Sequence, residues 1–233
     1  FGGYGSSGGA ASFTQSNFAA SVVTRQLNSA LGTGTYYLGY LFSATARANN
    51  GSVGSLLLGP SNQSGNTSPA AIFSDEFANN LGGSRVAGTS SANTGSSSAA
   101  DGTTYLSLSR ISLNGTTVGI DRYILTLAQY THFNGLSGGL DANLSQSLTT
   151  GTDSTNVLQK GTQSVADATT SLPYLSFEGY ANGGTFTFTY DEVRLSDTGF
   201  NALPVPEPSG ALLFAMAAGA WFARQRRRLV RLT

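Results

Sequence analysis

The chain of 233 residues carries 12 basic and 12 acidic residues, and only 10% of its residues are charged. It has no cysteine and one histidine, which excludes disulfides and leaves almost no material for a zinc site or a histidine-based triad. Thirty glycines with abundant Ser, Thr and Asn favour strands and turns, and the length suits one all-β domain.

The first part of the chain gives one firm strand. Residues 1–12 form a Gly/Ser-rich segment that predicts a loop. The apolar residues of 13–31 fit either a short helix or an irregular strand pair, and their spacing leaves both open. Residues 35–45 are rich in aromatic side chains and predict a strand. We place this strand inside a sheet, because an apolar edge of this length favours aggregation.

Further strands follow, separated by polar loops. Residues 53–58 and 71–77 predict two strands, with turn-forming residues between them. A Ser/Thr/Ala/Gly stretch at 88–102 predicts a long surface loop.

Two strand pairs are predicted in the second half. Residues 104–113 and 117–128 flank Asn114-Gly115, a dipeptide typical of a tight hairpin turn, and polar residues 135–151 predict a loop. Residues 172–179 and 184–195 predict another pair.

These elements predict an all-β fold, a two-sheet antiparallel sandwich (jelly roll). Its last strand alternates in the way a half-buried strand does, with aromatic residues on one face and threonines on the other. We expect the sandwich to cover residues 13–200, followed by a linker at 201–208 and a C-terminal hydrophobic helix within 209–233.

Two segments carry a resemblance to a known fold family. The stretches YLSLSRISL (105–113) and FTYDEVRL (188–195) look like strands of the concanavalin A-like, laminin-G-type jelly roll. In bacterial surface versions, a strand similar to the second one ends the domain just before a sorting signal. The resemblance implies a sandwich that binds carbohydrate or has an adhesive role.

The C-terminal tail has three parts in a fixed order: a Pro-Glu-Pro motif, an apolar run at 209–223, and an arginine cluster. As a helix, the fifteen residues of the run would span about 22 Å, short of a hydrocarbon core of about 30 Å. We therefore expect a transient anchor, and the arginines that follow place the C-terminus in the cytoplasm.

The tail resembles the PEP-CTERM sorting signal of Gram-negative, exopolysaccharide-producing bacteria. The resemblance implies processing by an exosortase, a transient stay in the inner membrane, and release to the cell surface or extracellular matrix, with exopolysaccharide as a further partner. The residues that match are Val205, Pro206, Glu207, Pro208, Arg224, Arg226, Arg227 and Arg228.

The rest of the chain is mildly acidic. Without the five arginines of the tail, seven basic residues stand against twelve acidic ones, so we expect no nucleic-acid partner. The chain begins at Phe1 without Met or signal peptide, and since the tail implies export we expect a missing start.

Catalytic groups are scarce, and we predict that the protein is not an enzyme. The pairs Asp75-Glu76 and Asp191-Glu192 are sequence neighbours, so on a strand their side chains point to opposite faces. The Glu-x-Asp-x-x-Glu strand of laminarinase-type jelly rolls does not occur. We expect one carboxylate of 191–192 to meet Arg194 or a loop amide, and we expect His132 to be an ordinary loop residue.

Two clusters are candidates for stacking on and hydrogen bonding to sugars: Tyr130, His132 and Asn134, beside Phe133, and Tyr180 with Asn182. The alternative is that the aromatic residues are core and the Asn residues form turns. No cofactor is predicted. Calcium alone remains open as a metal, because it binds carboxylate, amide and carbonyl oxygens. The carboxylates in or beside loops are Asp101, Asp121, Asp141 and Asp153.

Three hypotheses follow. The first is a non-enzymatic, exported surface or matrix protein sorted by its tail. The second is a lectin-like module that binds polysaccharide, with or without calcium. The third, an enzyme on the same fold, lacks catalytic groups.

Overall fold

The computed structural model describes residues 11–16, 20–45, 53–61, 73–77, 84–86, 89–90, 92–94, 102–150, 159–180 and 185–200. The chain divides into two compact units, Ala10–Leu203 and a second unit formed by Phe1–Gly9 with Pro204–Thr233. All described residues belong to the first unit, which is the subject of everything below.

The described residues form thirteen strands and two helices. In chain order these are β1 (Ala11–Ser16), β2 (Ala20–Leu31), β3 (Gly34–Thr45), β4 (Val53–Gly59), β5 (Phe73–Phe77), β6 (Ser84–Val86), β7 (Thr89–Ser90), β8 (Ala92–Thr94), β9 (Tyr105–Leu113), β10 (Thr117–Leu125), α1 (Leu127–Gly135), α2 (Gly139–Thr150), β11 (Gln159–Ala166), β12 (Leu172–Tyr180) and β13 (Thr185–Ser196).

The strands make two antiparallel sheets. Sheet A has the order β1-β13-β3-β9-β10-β11-β8, and sheet B has the order β2-β12-β4-β5-β6-β7. The predicted two-sheet antiparallel sandwich is therefore confirmed. Strand β3 lies between β13 and β9, as the prediction of an interior strand requires.

The main core lies between the inner faces of the two sheets. Alternate residues of each strand point inward, because successive side chains of a strand face opposite sides. Sheet A contributes most of the aromatic residues, and the rings of Phe42 and Phe188 stack with their centroids 5.8 Å apart. Sheet B contributes leucines, among them Leu56 and Leu58.

A second apolar layer lies on the outer face of sheet A. Helix α1 packs on β9 and β10, and α2 contacts β11. Among the helix residues whose burial the structure describes (127–144), four side chains are buried: Tyr130, Phe133, Leu140 and Leu144. Under them lie buried residues that alternate with those of the main core: Leu41, Leu106, Leu108, Tyr123 and Leu125.

The structure resolves several predictions. In the open segment 13–31, the described residues 13–16 and 20–31 form strands rather than a helix, and β1 and β2 belong to different sheets. The hairpin at Asn114-Gly115 is confirmed: the Asn114 side chain accepts hydrogen bonds from the amides of Thr116 (2.9 Å) and Thr117 (2.6 Å), and Gly115 has a φ of 82°.

Four predictions are wrong. The loop predicted at 88–102 contains the short strands β7 and β8. The predicted loop at 135–151 contains helix α2, and the strand predicted to reach residue 128 ends at Leu125, where α1 follows. The last two strands do not pair with each other, because β12 lies in sheet B and β13 in sheet A.

Among the described residues, no helix is long and apolar enough to cross a membrane. The helix predicted within 209–233 lies outside the described residues.

Candidate functional site

The exposed half of the outer face of sheet A is polar. The helices cover only the end of this face that carries the apolar layer, and the other end is open. We call this open surface the polar face. It is formed by Thr35, Tyr37, Arg110, Ser112, Gly119, Asp121, Thr162 and Ser164, all of which are exposed or half-buried.

One row of side chains crosses four adjacent strands of the polar face. Tyr37 of β3 lies opposite Arg110 of β9, Arg110 lies opposite Asp121 of β10, and Asp121 lies opposite Thr162 of β11. At a strand spacing of about 4.8 Å, the row is about 14 Å long. The row is therefore an extended line of polar side chains rather than a single contact point.

An ion pair holds the centre of this row. The Nε of Arg110 donates to Oδ2 of Asp121 at 2.8 Å, and Nη2 of Arg110 donates to the same oxygen. The hydroxyl of Thr162 donates to the other oxygen, Oδ1, at 2.7 Å. The side chains of Arg110 and Asp121 are 33% and 16% exposed, so both reach the surface from fixed positions.

The polar face carries no net charge from this pair. Burial acts to lower the pKa of Arg110, but the hydrogen bond and the charge of Asp121 outweigh it, so the pKa is raised. The guanidinium therefore stays charged at every physiological pH and neutralises the carboxylate beside it. A neutral partner rich in hydrogen-bonding groups fits such a surface better than an ion does.

A second row, parallel to the first, contains only small residues. Thr35, Ser112 and Gly119 lie opposite one another on β3, β9 and β10, and Ser164 of β11 continues the row. A Cβ at Gly119 would have its nearest neighbour at 3.5 Å, the Gln163 carbonyl oxygen. A Cβ would therefore be accommodated, and because glycine has no side chain the row has a gap beside the ion pair, which we call the depression at Gly119.

Tyr37 stands at the boundary between the polar face and the helical layer. Its ring meets that of Phe200 edge to face, with centroids 5.0 Å apart and planes at 80°. Phe200 in turn contacts Tyr123 and donates its amide to Oδ1 of Asp141 at 2.8 Å. The half-buried ring of Tyr37 is thus held in a fixed orientation at one end of the row.

Helix α1 presents part of the first predicted sugar cluster. His132 and Asn134 are exposed, while Tyr130 is only 6% exposed and packs toward the sheet with Phe133. The ring of Tyr130 is thus not part of an exposed stacking surface. The second cluster is on the other sheet: Tyr180 ends β12, and Asn182 lies outside the described residues.

Of the four carboxylates considered for calcium, the structure describes two. Asp121 belongs to the ion pair, Asp141 accepts the Phe200 amide, and Asp101 and Asp153 lie outside the described residues. No group of three or more His, Asp or Glu residues suited to a metal occurs in the described part of the chain.

The carboxylates of 191–192 are engaged in structural contacts. Oδ1 of Asp191 accepts the amide of Glu192 at 2.8 Å, and Oε2 of Glu192 accepts from Nη2 of Arg194 at 2.7 Å. The predicted contact with Arg194 is therefore present.

The residues of the predicted sorting signal lie outside the described residues. They are Val205, Pro206, Glu207, Pro208, Arg224, Arg226, Arg227 and Arg228. Their assignment stays a prediction.

Comparison with known proteins gives likeness of fold only. No family model matches the chain, and no curated protein sequence matches it. Among solved structures, a legume lectin-like domain from Entamoeba histolytica is 9% identical with a TM-score of 0.40, covering 81% of this chain and 84% of that one. Lectin II from Ulex europaeus is 9% identical with a TM-score of 0.38, covering 76% and 85%.

A GH131 beta-glucanase catalytic domain from Podospora anserina is equally similar, at 10% identity and a TM-score of 0.40, covering 82% of this chain and 73% of that one. The lectin domains and the hydrolase domain thus resemble this chain to a similar degree in sequence identity and TM-score. Neither a ligand nor a reaction can be transferred from them.

Proposed function

We propose that this protein is a non-enzymatic carbohydrate-binding module and that its polar face is the binding surface. The observation that carries the proposal is the row from Tyr37 through Arg110 and Asp121 to Thr162, fixed across four strands on an exposed sheet face.

The chemistry of the row fits a neutral saccharide. Charged and hydroxyl groups at fixed positions can donate to and accept from sugar hydroxyls, and hydrogen bonds to charged groups are the stronger ones. The Tyr37 ring adds an apolar face with a polar end, which suits the C–H surface of a sugar ring. The depression at Gly119 lets a flat ring approach the sheet closely.

The non-enzymatic part of the proposal is supported by what the polar face contains. Glycoside hydrolysis requires two carboxyl groups flanking the bond to be cleaved. Of the polar-face residues, only Asp121 carries a carboxylate, and that carboxylate accepts from Arg110 and Thr162. The carboxylate of Asp121 is thus held by two partners and has no second carboxyl group beside it among the polar-face residues.

A pair of substitutions at Gly119 tests the binding surface. We expect Gly119→Gln to weaken binding on an array of neutral glucans, galactans and mannans by about tenfold or more, equivalent to about 1.4 kcal/mol, because its side chain fills the depression. Gly119→Ala is the matched control and should change affinity by less than about threefold, since its Cβ meets only ordinary contacts.

Two results would overturn the proposal: no binding of the full chain to any glycan, with or without calcium, or equal binding by both Gly119 variants and the unchanged protein. Release of reducing sugar from a bound polysaccharide would overturn its non-enzymatic part. Parallel arrays with EDTA separate calcium-dependent recognition from recognition by the polar face alone.

We further propose that the module is exported, anchored transiently in the inner membrane and delivered to the cell surface or matrix by an exosortase. The support is the order of Pro206-Glu207-Pro208, the apolar run and the arginine cluster. In a host that has an exosortase, replacing Pro206 and Pro208 by Ala should retain the protein in the membrane fraction with its tail uncleaved. Unchanged release of that variant would contradict the sorting proposal and leave the binding proposal intact.

A further inference from the structure

A pocket of about 290 Å³ opens between the two sheets, on the other side of sheet A from the polar face. Residues of β2, β4 and β12 line it from sheet B, and residues of β3 and β13 line it from sheet A. Its volume is close to the lower end of the range for small-molecule sites, about 300 Å³.

The floor and walls of this inter-sheet pocket are apolar. Leu38 and Leu58, each 1% exposed, belong to the main core and form the inner end. Leu175 and Phe177 of β12 line one wall and are half-buried. An aliphatic group placed here would leave water for contact with both sheets, which is the main source of apolar binding energy.

Two exposed apolar side chains lie at or beside the outer end of the pocket. Leu195 lines the pocket and is 40% exposed. Val23 is 56% exposed and lies opposite Phe177 on the neighbouring strand, so it shares the face of β2 that borders the pocket. Exposed apolar residues next to a concave apolar surface are typical of a binding site.

Strand β13 is bulged next to the residues with which it lines the pocket. The register with β3 shifts between Asp191 and Arg194, and Glu192 adopts a φ of 53°. Strand β1 pairs with β13 only as far as Tyr190. The segment that borders the pocket is therefore a bulged strand end with one partner among the described strands, and β2 across from it is likewise an edge strand.

The charges at the pocket favour an anion. Two arginines and no acidic residue line it, as far as the described residues show. Arg194 forms an ion pair with Glu192, in which Nη2 and Oε2 are 2.7 Å apart. Arg25 is exposed, lies opposite Leu175 on the pocket side of β2, and makes no ion pair with any described residue.

From these observations we propose that the inter-sheet pocket binds a small carboxylate amphiphile. Its aliphatic tail lies between the sheets, and its carboxylate binds the guanidinium of Arg25, whose planar fork matches a carboxylate. At about 30 Å³ for each water-sized group, the pocket holds a chain of roughly ten heavy atoms.

The test is calorimetric titration of the full chain with decanoate, decanol and acetate, each kept below its micelle or solubility limit. We expect decanoate to bind and decanol to bind about three- to fivefold more weakly, as the loss of one partly exposed ion pair predicts. Acetate should give no heat of binding and should not displace decanoate. Equal binding of decanoate and decanol, or displacement by acetate, would overturn the proposal.

Substitutions locate the site. Arg25→Gln should remove the preference for decanoate over decanol, and the charge-preserving control Arg25→Lys should keep most of it. Leu175→Trp fills the pocket and should abolish binding of both compounds, with Leu27→Trp on the edge strand as a second blocking variant if the first unfolds.

Wild-type decanoate binding by a folded Trp variant, or an unchanged preference in Arg25→Gln, contradicts the proposal. Glycan binding by Arg25→Gln should be unchanged, so the two sites are tested independently.

Discussion

At the scale of single residues, the tightest constraint in the described core is at Gly54. A Cβ at this position of β4 would lie 2.5 Å from the ring of Phe188, closer than atoms can approach. Phe188 is fully buried and stacks on Phe42 across sheet A, so its ring has little room to move. The two sheets approach each other at Gly54 because no side chain stands between them.

Gly54→Ala should therefore lower the free energy of unfolding by about 1 to 3 kcal/mol, the usual cost of overpacking a core. Urea denaturation followed by tyrosine fluorescence measures the change. Gly119→Ala is the matched control on the outer face and should stay within about 0.5 kcal/mol of the unchanged protein. Equal stability of the two variants would show that Phe188 can move aside.

Part of the polar face could be predicted residue by residue. The Asn114-Gly115 turn fixes the register of β9 and β10, and with that register Arg110 must face Asp121. The alternation that points Ile111 and Ile120 inward then places both charges outside. Thr162 could not be predicted, because it lies on β11 after two helices that the hydrophobic pattern does not indicate.

At the scale of elements, α1 shows why the sequence pattern does not predict these helices. Polar residues are frequent throughout 127–150, and in α1 only Tyr130 and Phe133 are buried, which is too few for a clear helical pattern. One signal was present: the sequence TLAQ at 126–129 is a capping box, in which Thr126 Oγ1 accepts the Gln129 amide at 3.3 Å and Gln129 Oε1 accepts the Thr126 amide at 2.8 Å.

Thr126→Ala should lower the free energy of unfolding by about 1 kcal/mol, because an amide at the start of α1 loses its partner. The control is Thr131→Ala in the same helix, where the exposed hydroxyl donates only to the Leu127 carbonyl, 2.9 Å away within the helix. That control should be neutral within about 0.5 kcal/mol. An equal loss of unfolding free energy in both variants would mean that the capping hydrogen bond of Thr126 stabilises the protein no more than the exposed hydroxyl of Thr131 does.

The wrong pairing of the last two strands has a similar local cause. Four residues separate β12 from β13, a length that suits a hairpin as well as a crossing between sheets. Packing in the core favours the crossing between sheets. Phe177 of β12 and Tyr190 of β13 face each other across the sandwich, with ring centroids 5.0 Å apart. A contact of this kind between two sheets cannot be predicted from the sequence pattern of either strand alone.

At the scale of the whole molecule, the helical layer makes sheet A the centre of the described unit. One half of its outer face is closed by α1 and α2, and the polar face is the part that remains. Phe200 connects the two parts, since it contacts both Tyr37 and Tyr123. The proposed binding surface therefore depends on the helical layer staying in place.

Two tyrosines of this layer link global stability to pH. Burial raises the pKa of Tyr123, and the charge of Asp121 raises it further. Burial also raises the pKa of Tyr130. Below pH 10 both phenols are protonated in the folded and the unfolded chain, so they add no pH dependence there.

Above pH 10 the unfolded chain loses these protons while the folded chain keeps them, so the unfolded state is favoured increasingly as pH rises. We expect the free energy of unfolding to fall above pH 10 by up to about 1.4 kcal/mol per pH unit for each of the two phenols. Urea unfolding at half-unit steps from pH 8 to pH 11.5 measures the slope.

Tyr123→Phe combined with Tyr130→Phe should flatten this slope of unfolding free energy against pH, because neither position then has a proton to lose. An equally steep decline in the double variant would mean that other groups cause the alkaline unfolding and that the phenols of the helical layer are accessible to hydroxide in the folded protein.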